Sequence, residues 1–459
     1  MQPKRRGTSP RAQPPREPSE RKYPATRRNR PRLEAWSDLL ALFAPLFTLP
    51  TFILFHELLT AWILCPARHT VTGMMRGGGL VRRRPHDAYH RLLRAAAWSL
   101  EELWDLTADL LIGLFAEVGR IDLLLDDTLF HRRGRKIDGA GVFRDAVRSS
   151  GGSVVYDRGL NLVVLALRVR APWGGEPLAL PLAVHLHHKI GPTLLDLAAR
   201  AIRRLAERFP DRDFHLIADG TYAPLAGWSL PRTAVTSRIR RDAALYDFPP
   251  PRRRGQMGRP PKKGPRLAPL PRWADHTRNG WTRAVVDRRG RWEERLLLAR
   301  EVLWYHVCGA RPVRVVVSRD PKGHERDDFL FTTDLALSPG AVVSHYFGRW
   351  PIEDTLRSSK QSLGGEEPQT WKGKGPERAA SLAFWLYSMV WAWYLESQGP
   401  TPRFVKLPWY PQKVRPSFVD AVSTLRAEIW RGRVSSQSEG EPRLREITRP
   451  LVEALALSR

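Results

Sequence analysis

Between residues 120 and 218 the apolar residues change their period, and this change limits the fold more than any other feature of the chain. Arg120 to Phe130 (RIDLLLDDTLF), Ser153 to Asp157 (SVVYD), Leu160 to Arg170 (LNLVVLALRVR) and Ala179 to His187 (ALPLAVHLH) are short β-type runs separated by glycine-rich turns. Thr193 to Phe209 then places apolar residues at the three-to-four spacing of an amphipathic helix. Phe214 to Ala218 (FHLIA) returns to strand character and ends on Asp219. Three or four strands, a helix and a further strand make a mixed α/β domain.

The flanks have helical periodicity. Residues 35–118 read as helical, His90 to Ala116 most clearly, and helices resume from about residue 341 to 398 and near Phe418 to Trp430. Strand-like runs recur at Thr282 to Asp287, Glu294 to Leu298, Val313 to Ser318 and Phe329 to Thr332. Leu39 to Phe55 and Ala379 to Leu395 are uncharged, but each sits at the lower limit of the ~17–25 residues that cross a bilayer. Proline interrupts the first and tryptophan crowds the second, so both read as buried helices, with no membrane span expected. No secretory leader is read at the start, and Cys65 and Cys308 are too few for a disulfide scaffold or a four-cysteine zinc site. A reducing compartment fits.

The charge is strongly positive, with 75 Lys+Arg against 47 Asp+Glu and a net +28. A basic excess of that size points toward a polyanion, although arginine-rich composition also arises from GC-rich coding, so its distribution matters more. Residues 1–34 hold eleven Lys/Arg, three Glu and seven Pro, and read as a disordered basic arm that either touches DNA phosphates or serves as a solubilising tail. Residues 228–272 hold twelve Lys/Arg against two Asp and read as an exposed basic loop, with Arg252, Arg253 and Arg254 followed by Arg259, Lys262 and Lys263. Gly258-Arg-Pro-Pro-Lys-Lys resembles the core of an AT-hook, which lays arginine into an AT-rich minor groove; general phosphate binding by the same loop is the alternative.

Three acidic positions stand apart. Asp126 and Asp127 end the apolar run Leu123-Leu124-Leu125, and Asp219 follows Ala218 directly. Apolar strands that end in Asp bring a carboxylate to the rim of a sheet, where ligands gather; an ordinary turn or helix-cap Asp is the alternative. The third is Glu353, within Tyr346-x2-Arg349-x3-Glu353-x6-Lys360. On a helix at ~100° per residue these four fall within about 60° of one another and present a phenol, a guanidinium, a carboxylate and an amine to one side. Pro351 suits the first turn of a helix, which places the helix start near Trp350. The plainer reading is a surface helix with an Arg349–Glu353 pair at i,i+4.

That spacing resembles the YREK signature of a large group of insertion-sequence DDE transposases. Asp126-Asp127-Thr128 resembles the group's Asp-x-Thr/Ser motif, Ala218-Asp219-Gly220-Thr221-Tyr222 its second Asp motif, and Gln361-Ser362-Leu363-Gly364 its usual continuation. The resemblance covers roughly residues 120–395. It implies an RNase H-like mixed-sheet core over residues 119–227 and 341–398, a β-rich insertion at 228–340, a helical DNA-binding region at 35–118 and a helical tail at 399–459. It also implies a catalytic and metal-binding triad of Asp126, Asp219 and Glu353, with Asp127 the alternative first carboxylate, since strand neighbours face opposite ways. Alignment on Asp-x-Thr points to Asp126.

Two Mg2+ ions, or Mn2+ in their place, would then activate the attacking oxygen and assist the leaving 3′-oxygen. Tyr346, Arg349 and Lys360 would contact phosphate. The activity implied is cut-and-paste strand cleavage and strand transfer on double-stranded DNA by a homodimer joining the element's ends and a target, in the cytoplasm at a bacterial nucleoid. A resolvase-like nuclease of the same fold and a non-cleaving DNA-binding descendant are the rival readings. In several members of the group a flipped base stacks on an insertion tryptophan, a part open here to Trp292 or Trp304, with core packing the alternative for each.

Other clusters carry plainer expectations. His185 and His187 share a strand face but lack a clear third ligand, and read as satisfied histidines beside a sheet rather than a Zn2+ site. Glu101, Glu102 and Asp105, and likewise Glu366 and Glu367, read as solvated.

Overall fold

The computed structural model describes residues 35–252, 257–277, 279–402, 404–406, 408–437, 452 and 454–457. Five helices come first: α1 (Trp36–Ala41), α2 (Leu49–Leu64), α3 (Val71–Gly77), α4 (His86–Arg94) and α5 (Leu100–Phe115). The core follows as β1 (Ile121–His131), β2 (Gly141–Arg144), β3 (Tyr156–Val169), β4 (Leu178–His187), α6 (Leu194–Arg208), β5 (Phe214–Ala218) and β6 (Thr233–Arg238). Then come α7 (Leu270–His276), β7 (Trp281–Arg288), β8 (Arg291–Leu303), α8 (Tyr305–Cys308), β9 (Pro312–Arg319) and β10 (Asp328–Thr332). The chain closes with α9 (Pro339–Phe347), α10 (Pro351–Gln361), α11 (Gly375–Gln398) and α12 (Phe418–Gln437).

One mixed sheet organises these elements, in the order β4-β3-β1-β5-β6-β10-β9-β8-β7, with β2 sharing the outer edge of β3. β1, β3 and β4 pair antiparallel, whereas β5 and β6 run parallel to β1. This is the RNase H-like mixed-sheet arrangement. β3 is buried almost without interruption from Gly159 to Ala166, as a central strand covered on both faces should be. Thr193 starts α6 with a capping box: its hydroxyl accepts from the Asp196 amide at 3.2 Å and its own amide donates to Asp196 at 2.8 Å.

Several sequence expectations shift in detail. The basic stretch 228–272 contains a core strand, β6, and strands β7–β10 extend the same sheet through the β6–β10 pairing. The helical run from His90 breaks at residues 95–99, where Ser99 caps α5 by accepting from the Glu102 amide. Glu101 and Asp105 are not simply solvated. With Asp109 they form a ladder of ion pairs to Arg200, Arg204 and Arg208 of α6, the middle pair bidentate at 2.7 and 2.6 Å.

Ala379 to Leu395 is the central pillar, α11, buried on every side from Gly375 to Leu395. Among the described residues, no helix is long and apolar enough to cross a membrane. Both cysteines are buried free thiols. The Trp104 indole donates to Ser381 Oγ at 2.9 Å and that of Trp385 to Thr107 Oγ1 at 2.9 Å, so α5 and α11 are joined by polar contacts within an apolar interface. Arg378, 1% exposed, donates from Nη1 to the carbonyls of Leu92 and Leu93 at 3.2 and 3.3 Å. Its Nη2 donates to the carbonyls of Ala96 and Trp98, and its guanidinium stacks on the Trp98 ring. The carbonyls left open by the end of α4 are thus closed by one side chain from α11. Arg378→Met would leave them buried and unpaired; a loss of about 3 kcal/mol is expected in denaturant melts.

Candidate active site

Parallel pairing of β1 and β5 sets Leu125 opposite Ala218, so the next residue on each strand is an aspartate. Leu124 and Ile217 pack with Ala166, Ala179 and Ile352 in one apolar cluster, which identifies the sheet face covered by α10. Side chains alternate along a strand, and Asp126 and Asp219 lie two residues beyond Leu124 and Ile217, so both belong to that face. α10 is fastened there by Ile352 and by Thr355, whose hydroxyl donates to the Ala179 carbonyl at 2.8 Å. Glu353 follows Ile352 in the first turn.

Arg349 ties the strands to the helix. Its Nη1 donates to Asp126 Oδ2 at 2.6 Å and its Nη2 to Glu353 Oε1 at 2.9 Å. The i,i+4 pair expected of a plain surface helix is present, but the same guanidinium also reaches β1, and its side chain is only 13% exposed. Asp219 caps the turn after β5: it accepts from the Thr221 amide at 2.9 Å and from the Thr221 hydroxyl at 3.3 Å. Asp127 shares its face with Leu123 and Leu125, away from α10, and accepts from the Tyr222 hydroxyl at 3.0 Å. The two neighbouring aspartates are therefore separated by strand alternation.

The electrostatics follow from crowding. Burial pushes the Asp126 carboxyl up to about 7, against the opposing pull of Arg349 and with the further push of Asp219 and Asp127. Burial also raises Asp127, with the Tyr222 hydrogen bond working against it. Tyr222 is itself held well above the ordinary phenol range by burial and by the Asp127 charge. For Arg349, burial is the largest influence and acts downward, but the carboxylates and Tyr346 outweigh it and hold the guanidinium above its usual value. An all-oxygen donor set, crowded enough to keep one proton and balanced by one arginine, suits hard divalent cations.

The remaining sequence candidates are scattered. Tyr346 is buried at the end of α9 among Val286, Leu297, Val316 and Leu330, with the Arg238 guanidinium over its ring. Lys360 sits two turns along α10 from Glu353, its ammonium 5.8 Å from the Phe130 ring centre, in the field of Glu366 and Asp145. Arg252, Arg259 and Lys262 are exposed, and Lys263 lies over the rings of Tyr246 and Tyr305 at 3.8 and 4.9 Å. Arg253 and Arg254 lie outside the described residues, as do residues 1–34. Trp304 is buried against Phe331, whereas Trp292 is 70% exposed.

His185 is half-buried and depressed to about 4, mainly by desolvation, while His187 meets Asn161. Glu366 and Glu367 are not simply solvated: half-buried, they accept from the backbone amides of His131 and His69. Sequence reasoning missed Tyr222 as a partner of Asp127, although it stands three residues after Asp219. It also missed Arg289, whose guanidinium lies 3.4 Å from the Trp350 ring centre. That contact is long-range and leaves no local pattern.

The shifted Asp126 carries a sign that can be measured in metal-free buffer. A carboxyl whose pKa rises from 3.8 to about 7 on folding holds its proton more tightly in the folded state. Its stabilising contribution is whole below about pH 4 and is lost as the pH rises to about 7. Asp126→Asn does not ionise, so the stability difference between variant and wild type should move in the variant's favour by about 2 kcal/mol between pH 5 and 7.5. Melts across that range check it.

No curated protein matches the chain. Residues 54–307 match the family model described as DDE superfamily endonuclease, a segment that holds Asp126, Asp127 and Asp219, with Glu353 beyond it. Endonucleases of this superfamily are generally dependent on divalent metals and act on DNA. With more than half of its length matched and with an RNase H-like sheet, the chain belongs to the DDE superfamily of endonucleases.

Proposed function

We propose that this endonuclease is the transposase of an insertion sequence, cleaving and joining DNA strands by a cut-and-paste route with Asp126, Asp219 and Glu353 as its catalytic carboxylates. The observation that carries this reading is the convergence of Asp126 and Asp219 on the face covered by α10, with Arg349 joining Asp126 to Glu353. Two Mg2+ ions held by these carboxylates, or Mn2+ in their place, would supply activation of the attacking oxygen and stabilisation of the departing one.

The chain's own residues have separate tasks. Thr221 fixes the orientation of Asp219, and Tyr222 holds Asp127 out of the trio. Arg349 keeps Asp126 and Glu353 at one spacing and provides a planar, permanently charged group beside the path of the scissile strand. Trp292, exposed on the hairpin strand β8, is the better placed of the two tryptophans to meet a base. Arg252, Arg253, Arg254, Arg259, Lys262 and Lys263 form the basic loop that grips double-stranded DNA through its phosphates. Lys360 and Tyr346 play supporting parts near α10 and α9. The working unit is a homodimer on two element ends, acting at the nucleoid of a bacterial cell.

The test is Mg2+-dependent cleavage of DNA carrying the element's ends. Glu353→Gln should lower cleavage at least about a thousandfold while DNA binding stays within a few fold. Retained cleavage would remove Glu353 from the trio, and binding without cleavage by the wild type would favour the non-cleaving descendant. In the same system Arg259→Ala and Lys262→Ala should each weaken binding evenly across sequences. Each should also lower the slope of log K against log salt by about one.

A further inference from the structure

We infer that a second divalent-cation site, separate from the carboxylate trio, is built at the far end of β1 from His131, Asp145 and Asp157, and that it takes a borderline ion of the Zn2+ class. The site stands whether or not the chain transposes DNA. One ring nitrogen of His131 and two carboxylate oxygens lie within 4.8 Å of one another here. The three residues come from the end of β1, the residue after β2 and the start of β3.

The state of the His131 ring is set by its outer side. Glu366 Oε1 accepts from the His131 backbone amide at 2.8 Å and lies 3.1 Å from Nδ1. A carboxylate there accepts, so Nδ1 carries a hydrogen, and Nε2 either donates to Asp145 or, with that proton displaced by an incoming cation, presents its lone pair. Nε2 lies 2.9 Å from Asp145 Oδ2 and 3.9 Å from Asp157 Oδ2. The three atoms are held together by the Nε2 hydrogen bond and by Arg148, and a cation that displaces that proton to solvent takes the same three atoms as ligands. A carboxylate on the outer nitrogen is also the arrangement that orients metal-ligating histidines.

Both carboxylates are fixed before any ion arrives. Asp145, 2% exposed, uses Oδ1 to accept from the amides of Val147 and Arg148 at 3.0 and 3.2 Å, which leaves Oδ2 to the site. Asp157 does the same, with Oδ1 accepting from the Arg158 amide at 2.7 Å. Tetrahedral Zn2+ with ligands at ~2.0–2.2 Å sets neighbouring ligands about 3.3 Å apart, within the span found. The His131 side chain is 29% exposed, so a water can complete the coordination.

Arg148 supplies the present counter-charge, with Nη1 2.8 Å from Asp157 Oδ2 and Nε 3.5 Å from Asp145 Oδ2. Its side chain is 55% exposed and can withdraw into solvent. His131 stands five residues beyond Asp126, about 17 Å along the strand, so one ion cannot serve both places. An ion here pins the end of β1 to the β2–β3 connection and, through Glu366, to the segment after α10.

The test uses full-length protein carrying Asp126→Asn and Glu353→Gln, so that the trio does not compete, titrated with Zn2+ alone by calorimetry and with Co2+ as a spectroscopic probe. The expected result is one Zn2+ per chain at micromolar affinity or tighter, a visible Co2+ spectrum of low coordination number, and a higher melting temperature with Zn2+. Adding Asp157→Asn should weaken binding at least tenfold with an unchanged circular dichroism spectrum. Adding Arg148→Ala, which removes the competing guanidinium, should tighten it several fold. Absence of Zn2+ uptake, or affinity unchanged by Asp157→Asn, overturns the site and leaves a histidinium ion-pair network; so does weaker binding with Arg148→Ala.

Discussion

Two parallel strands that bring aspartates to adjacent positions, Asp126 within β1 and Asp219 just past the end of β5, create an electrostatic problem around which the rest of the molecule is arranged. The β1–β5 register leaves no freedom here: once Leu125 faces Ala218, Asp126 and Asp219 must emerge side by side. α10 covers the same face, and burial there, with a further push from Asp219 and Asp127, raises the Asp126 carboxyl to about 7 against the pull of Arg349. Arg349 offsets part of the cost, yet one guanidinium cannot balance Asp126, Asp219 and Glu353 together. In the proposed function that surplus negative charge would draw divalent cations, and the surrounding scaffold holds the strands together against it.

That rigidity comes from how α10 is held at both ends. At its start, Ile352 sits in the apolar cluster and Thr355 bonds to β4. Beyond its end, the Trp62 indole donates to the Leu363 carbonyl at 2.7 Å, and Glu367 accepts from the His69 amide. The N-terminal helices therefore grip the segment that follows α10, while α11 stands behind them as a buried pillar. Arg426 of α12 donates to the Ile63 carbonyl at 2.6 Å and so locks the end of α2 from the other side. Parts of the chain remote from the carboxylates in sequence thus fix the height and tilt of the helix that carries Glu353.

Much of this was legible in the sequence where the signal is local. Apolar runs followed by Asp marked β1 and β5, although β1 continues to His131; the three-to-four spacing from Thr193 to Phe209 marked α6, and Pro351 marked the start of α10. What escaped depends on contacts between distant segments. The acidic stripe Glu101, Asp105 and Asp109 looks like a solvated face until α6 brings arginines at matching four-residue intervals. Glu366 looks equally free until the end of β1 arrives. Strand β6 was hidden because its short run, Thr233 to Arg238, lies inside a stretch whose arginines and prolines dominate any reading by composition.

The helix wheel drawn through Tyr346, Arg349, Glu353 and Lys360 gives way to the alternative that Pro351 suggested, a helix that starts near Trp350. A single helix would commit all four side chains to one stripe. The chain instead ends α9 at Phe347 and restarts at Pro351, and the three residues between them release Arg349 from the helical register. A Cβ at Gly348 would approach Arg168 Nη2 at 2.8 Å and the Ser344 carbonyl at 3.1 Å, so a larger residue there would displace the end of the Arg168 side chain. Tyr346 is left in the apolar core of α9, and Lys360 is carried two turns down α10 toward Glu366. Arg349, belonging to neither helix, turns sideways and joins a strand-borne carboxylate to a helix-borne one, a reach that a residue fixed within either helix would not have.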